Sequence, residues 1–150
     1  MTYYNIIPIP KPRITHKGRF KPIAKRYYCY ADNIRALKVD LPLAGSHVTF
    51  HMPMPKSWSE KKKTEMNGTP HQSKKDLDNL FKALGDAVYS DDSSIWDVRM
   101  TKLWSRTGGI KIEPQPPIRD VVMQLDIAFR DGNRELSAYL INILKEYFGG

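Results

Sequence analysis

The apolar residues of this chain change period several times, and each change predicts an element. Tyr3 to Ile9 reads as a short strand closed by Pro8, Pro10 and Pro12. Lys11 to Pro22 is a basic loop. From Ile23 the apolar side chains fall at Tyr27, Tyr30, Ala31, Ile34 and Leu37, which is helical spacing, and Pro42 and Gly45 end that run. His47 to Met54 alternates: Val48, Phe50, Met52 and Met54 share one face, while His47, Thr49 and His51 share the other, as in a half-buried strand. Residues 55–75 are polar and lysine-rich, broken by Gly68 and Pro70; a short helix over Ser57 to Met66 and a mobile loop after it are expected. Asp76 to Val88 is the clearest helix, with Leu77, Leu80, Phe81, Leu84 and Val88 in one apolar stripe. Ile95 to Trp104 alternates as a strand, and Gly108-Gly109 predicts a hairpin back through Ile110 to Glu113. Beyond Pro114 to Pro117, Leu136, Tyr139, Leu140, Ile143, Leu144 and Tyr147 predict a C-terminal helix; Asp120 to Phe129 has no decisive period. No internal repeat is visible.

These elements predict an α+β fold: a two-layer single domain, with a small mixed sheet packed on helices, over residues 1–117. Residues 118–150 form a C-terminal helical extension expected to pack on the same domain. A chain of 150 residues with 41% apolar content can bury a core. No apolar run is long enough to span a bilayer, and the N-terminus lacks the pattern of a secretory signal. The single cysteine, Cys29, excludes an internal disulfide and a zinc site of several thiolates. A reducing, cytoplasmic setting is expected.

Charge adds a partner to this picture. The net charge is +8, and no acidic residue occurs before Asp32. Lys11, Arg13, Lys17, Arg19, Lys21, Lys25 and Arg26 interleave there with Phe20, Tyr27 and Tyr28. Basic residues mixed with rings are the footprint of a nucleic-acid binder, against the plainer reading of a solvated arm. Lys11, Arg13, Lys17, Arg19, Lys74, Lys75 and His71 are the candidate DNA contacts.

Against this basic background the carboxylates of KKDLDNLFKALGDAVYSDDSSIWDV, residues 74–98, stand out. Taken singly, each has a structural explanation. Asp76 suits a helix N-cap, and Asp91-Asp92-Ser93-Ser94 suits a turn. Taken together they suggest chemistry. Asp78 lies off the apolar stripe and Lys82 shares its face. A strand packed beside the helix would return Asp91 and Asp92 toward Asp76 and Asp78. Clustered carboxylates repel one another unless a cation neutralises them, and hard oxygen ligands suit Mg²⁺, with Mn²⁺ as a substitute. Such a metal inside a basic frame serves phosphodiester hydrolysis, with Lys82 steadying charge on the phosphoryl oxygens.

The same residues carry a resemblance. D-L-D-N-L-x-K-A, from Asp76 to Ala83, followed by Asp86-Ala87 and Asp91-Asp92, resembles the RusA family of Holliday-junction resolvases, in particular the versions found in phages and prophages. PIPKPR near the N-terminus, MPMPKSW from Met52 to Trp58, and the Gly68 to His71 approach are also similar. The resemblance covers roughly Ile6 to Glu113 and has no counterpart in the last thirty-odd residues. It implies a homodimeric, Mg²⁺-dependent endonuclease that nicks a four-way DNA junction symmetrically, in recombination and repair, inside a bacterial or phage-infected cell. By position it implies Asp76, Asp78 and Asp92 as metal-binding carboxylates and Lys82 as the catalytic lysine. Asp91 is the alternative to Asp92, or else only shapes the turn. A two-fold protein suits a two-fold junction.

Other residues have two readings each. His47 and His51 are a paired ligand or half-exposed strand positions. Trp58 and Trp104 stack on bases or hold the core, and the core reading is preferred. Lys61-Lys62-Lys63 touches the DNA backbone or is a solvated face. Two competing functions remain at this level: a less selective nuclease on branched or flapped DNA, and a non-catalytic DNA-binding module whose aspartates only cap and turn.

Overall fold

The computed structural model describes residues 1–13, 15, 18, 21–116 and 118–149. The chain divides into two compact units, Met1–Pro114 and Gln115–Gly150.

The first unit is α+β. Its sheet holds β1 (Thr2–Tyr4), β2 (Ala44–Pro53), β3 (Asp97–Ser105) and β4 (Gly109–Pro114), in the order β1-β4-β2-β3. Helices α1 (Pro22–Ala36), α2 (Glu60–Met66) and α3 (Leu77–Val88) accompany it. α1 begins at Pro22, whose missing N–H and fixed φ suit the first helical turn. Its spacing buries Ala24, Tyr27, Tyr30, Ala31 and Ile34 on one face. α3 buries Leu80, Ala83, Leu84 and Ala87. These two faces share one core with Val48, Phe50 and Met52 of β2 and Ile110 and Ile112 of β4. The Phe50 side chain is fully buried at the centre, so its truncation to alanine should cost about 3–5 kcal/mol.

The expected β3–β4 hairpin is not formed. β2 lies between the two strands, parallel to β3 (Phe50 opposite Lys102) and antiparallel to β4 (Phe50 opposite Ile110). α2 and α3 lie on the crossover that parallel pairing of β2 and β3 requires. Gly108 and Gly109 serve close approach rather than a turn. A Cβ on Gly108 would sit 2.7 Å from Ile7 Cγ1, and one on Gly109 would sit 1.9 Å from the Tyr3 hydroxyl. β1 is shorter than expected. It pairs Thr2 to Tyr4 with β4, and the chain then leaves the sheet ahead of prolines that cannot donate to a ladder.

Residues 68–71 are also not free. The Gly68 amide donates to the Trp104 carbonyl, Trp104 donates back to Thr69, and His71 donates to Lys102, each at 2.9 Å. The segment therefore runs antiparallel along β3, with Pro70 opposite Leu103. Trp104 is buried and Trp58 packs on it with ring centroids 4.9 Å apart, as the core reading requires.

The second unit is a helix pair, α4 (Ile118–Arg130) and α5 (Arg134–Phe148), with Val121, Ala128 and Leu140 in its own small core. Asp120 to Phe129, without a decisive period in the sequence, is helical. Gly149 ends α5 in the left-handed conformation at φ 69°.

Candidate active site

The acidic edge is built on α3. Asp76 occupies the N-cap position with extended backbone, yet its side chain makes no capping hydrogen bond. The capping role expected for it is not taken up, which leaves an exposed carboxylate at the positive end of the helix. Asp78 is exposed in the first turn, and Lys82 follows one turn later. Among the described residues neither is ion-paired, so the helix-face pair between them is not formed.

Two turns beyond Asp78, about 10 Å along the axis, stands Gly85. Its missing side chain leaves room against which Asp92 packs. A Cβ on Gly85 would lie 3.4 Å from Asp92 Cβ, 3.5 Å from its Oδ2 and 3.9 Å from Ile95 Cδ1. Asp78, Lys82 and Gly85 recur at i, i+4 and i+7, so Asp92 is returned to the same face as Asp78 and Lys82. The structure distinguishes the neighbouring aspartates. Asp91 accepts from the Ser93 amide at 2.9 Å and closes the 3₁₀ turn Asp92–Ser94, and that bond holds its carboxyl below the usual range. Asp92 lies half-buried against α3.

A further carboxylate, Asp86, joins this face. It is ion-paired with Lys11, whose backbone amide also donates to the Asn79 carbonyl at 3.2 Å. Lys11 is thus held alongside α3. The bond to Asp86 is the main cause that raises the Lys11 pKa; burial opposes it, and the charges of Asp86, Tyr27 and Asp92 add to it. Lys11, expected to contact phosphate, is therefore committed to Asp86. The signal for Asp86 was legible: it lies four residues past Lys82 and eight past Asp78, on the polar face.

The structure puts Asp76 and Asp78 at the N-terminal end of α3 and Asp92 against Gly85 two turns away, and it does not converge them. Among the described residues no group of three His, Cys, Asp or Glu side chains is close enough to hold a metal ion. In donor chemistry the residues do fit a hard cation: three carboxylates, two of them exposed and without hydrogen-bonded duties.

Lys102 of β3 sets the entrance to α3. Its ammonium donates to the carbonyls of Ser73 at 3.2 Å and Lys75 at 2.7 Å. Lys75, immediately before Asp76, has φ 89°, a strained value for a residue with a side chain. His71 is not a surface contact. It is 6% exposed, its ring lies 4.0 Å from that of Trp104, and its Nδ1 is buried without a partner. Burial, and then the charge of Lys102, lowers its pKa. His47 bonds Thr101 Oγ1 at 2.8 Å through Nε2, and His51 packs on the Tyr3 ring at 5.4 Å, so the strand reading holds for both. Among the other expected DNA contacts, Arg13, Lys74 and Lys75 are exposed. Lys17 and Arg19 lie outside the described residues.

The family model Endodeoxyribonuclease RusA matches residues 4–114 of the 150. The chain belongs to the RusA endodeoxyribonuclease family. Comparison with curated proteins found no match. The RusA match takes in the whole first unit from Tyr4 onward, and α3 with its carboxylate edge lies inside it. RusA membership supports a nuclease, and the family acts on branched DNA junctions. Charge follows the same division. The 24 Lys and Arg include 20 within residues 1–114, against 11 of the 16 Asp and Glu, so the excess of positive charge is confined to the RusA unit. No helix among the described residues is long and apolar enough to cross a membrane.

Proposed function

We propose that this chain is a Mg²⁺-dependent endonuclease that resolves four-way DNA junctions by paired symmetric nicks, acting as a homodimer in recombination and repair, in the cytoplasm of a bacterial or phage-infected cell. The observation that carries this reading is the RusA match over residues 4–114, which contains the acidic edge of α3 in full.

Asp76, Asp78 and Asp92 would hold the Mg²⁺, for which Mn²⁺ can substitute, and the ion would supply Lewis-acid polarisation of the phosphate and an acidified water. The chain's own residues do the rest. Lys82 stands on the same helix face as Asp78, where its ammonium stabilises negative charge that grows on a bound phosphoryl group. The Asp86–Lys11 pair fixes Lys11 beside that face. Arg13, Lys74 and Lys75 hold neighbouring phosphates, with Lys17 and Arg19 added on the sequence reading. A homodimer places two such faces about a two-fold axis, which matches the two-fold symmetry of a junction and gives the second nick.

The test is cleavage of junction, flap and duplex substrates by wild type and by Asp76→Asn, Asp78→Asn and Asp92→Asn. Each variant should lose cleavage and keep junction binding, because removing negative charge does not weaken affinity for a polyanion. Cleavage of Asp78→Asn near the wild-type rate would remove the site assignment. Equal cutting of flap and junction would leave a less selective nuclease. Absence of metal-dependent cutting by wild type would leave a binding module.

A further inference from the structure

A pocket of 520 Å³ opens between the segment that follows β1, helix α1, and Lys75. It lies within the first unit, within the about 300–1,000 Å³ usual for small-ligand sites. Ile6, Ile7 and Ile9 give it an apolar wall. Arg26 of α1 and Lys75 are its charged groups, and no lining residue is acidic. Neither cation has an ion-pair partner among the described residues. Asn5 and Asn33 bring amides that both donate and accept. The Tyr30 hydroxyl, on a lining residue only 4% exposed, is buried with no hydrogen-bond partner.

The position of the pocket identifies its occupant. Lys75 lines it, and the next residue is Asp76. The pocket thus lies beside the N-terminal end of the acidic edge of α3, within reach of a nucleotide next to a phosphate bound there. An apolar wall, flanking amides and two cations suit a base with its attached phosphate. A base paired and stacked within a duplex cannot enter, but extrusion costs least where stacking is already interrupted, as at a branch point. We propose that this pocket takes one unstacked nucleobase from the branch point of the DNA, with an adjoining phosphate held between Arg26 and Lys75. The proposal rests on the nuclease reading above and deepens it: selection of branched over continuous DNA would be made in part here.

Cys29 makes the test direct. It lines the pocket, is exposed, and is the single cysteine of the chain. Alkylation of wild-type protein by N-ethylmaleimide, followed by mass spectrometry in EDTA, is compared with no DNA, with a four-way junction, and with a duplex. Junction at about ten times its Kd should slow alkylation roughly tenfold by mass action. Duplex bound to the same occupancy should slow it far less. Equal slowing by duplex would mean that DNA merely covers the surface and would overturn the proposal. So would unchanged alkylation while a gel shift shows the junction bound. Failure of wild type to bind DNA at all would overturn the nuclease reading together with this one. As a second measurement, Cys29→Trp fills the pocket from an exposed helix position. It should weaken junction binding about tenfold, the cost of roughly 1.4 kcal/mol of lost contacts, and leave duplex binding unchanged. Unchanged junction affinity would exclude an inserted base.

Discussion

Lys102 donates from its ammonium to the carbonyl of Lys75 at 2.7 Å, and so ties a strand of the sheet to the residue that precedes Asp76. Lys75 is held there at φ 89°. Strain of this kind, of order 1–3 kcal/mol, persists only where surrounding bonds fix it. Lys102→Met removes the bond, lets the turn relax, and re-aims Asp76. Under the nuclease reading, single-turnover cleavage should fall about a hundredfold, the usual consequence of a misplacement near 1 Å. Junction binding should change little, because this ammonium is already committed to carbonyls. Lys102→Arg, which can also donate to two oxygens, should recover much of the rate. If the methionine variant cuts as fast as wild type, the tie has no part in placing Asp76.

Gly85 tests the seat of Asp92. A methyl group there meets Asp92 and Ile95 at ordinary contact distances of 3.4–3.9 Å. Alanine also favours a helix interior over glycine by about 1 kcal/mol. Gly85→Ala should therefore raise the thermal midpoint slightly and keep cleavage. Gly85→Leu must displace the Asp92 carboxylate, and should lower cleavage while leaving DNA affinity intact. Equal activity of the two variants would show that the position of Asp92 against α3 does not matter.

Lys82 is exposed on the face it shares with Asp78, and it forms no ion pair with that residue. If its ammonium acts on charge that develops in the reaction, Lys82→Ala should reduce turnover by about 10²–10³ with junction affinity nearly unchanged. Single-turnover kinetics with saturating protein separates the two effects. A rate within a factor of about three of wild type would make it a surface residue.

His71 gives a pH dependence that does not require DNA. Burial and then Lys102 lower its pKa, and His51 is shifted the same way by burial and Lys111. In this case the unfolded chain binds the proton more readily than the folded one. The stability is therefore fully present above the ordinary histidine range and is lost as pH falls below about 6.5. His71→Phe keeps a ring against Trp104 and cannot take a proton. Its melting temperature should decline less than that of wild type between about pH 7 and pH 5. Parallel declines would assign the loss to other groups.

Wherever local period and composition suffice, the sequence was enough. The stripe of α3, the alternation of β2, the proline at the start of α1 and the confinement of positive charge to residues 1–114 each follow from neighbouring residues. So does the grouping of Asp78, Lys82 and Asp86, because helical spacing alone puts them on one face. The order of strands did not follow. Gly108-Gly109 has the composition of a hairpin turn, but its glycines are needed because Tyr3 and Ile7 occupy the space their side chains would fill. Nothing near them in the chain announces that.

The same limit applies to the site. The sequence supplied the carboxylates and the lysine. Only the tertiary structure assigned Asp91 to its turn and Asp92 to the space over Gly85, turned His71 inward onto Trp104, and gave Lys11 to Asp86. The last two depend on partners remote in sequence, Trp104 of β3 and Asp86 of α3, and the seat of Asp92 depends on how the chain folds back onto α3. Periodicity records which face of an element is apolar. It carries no information about which distant side chain will lie against that face, and packing decides that.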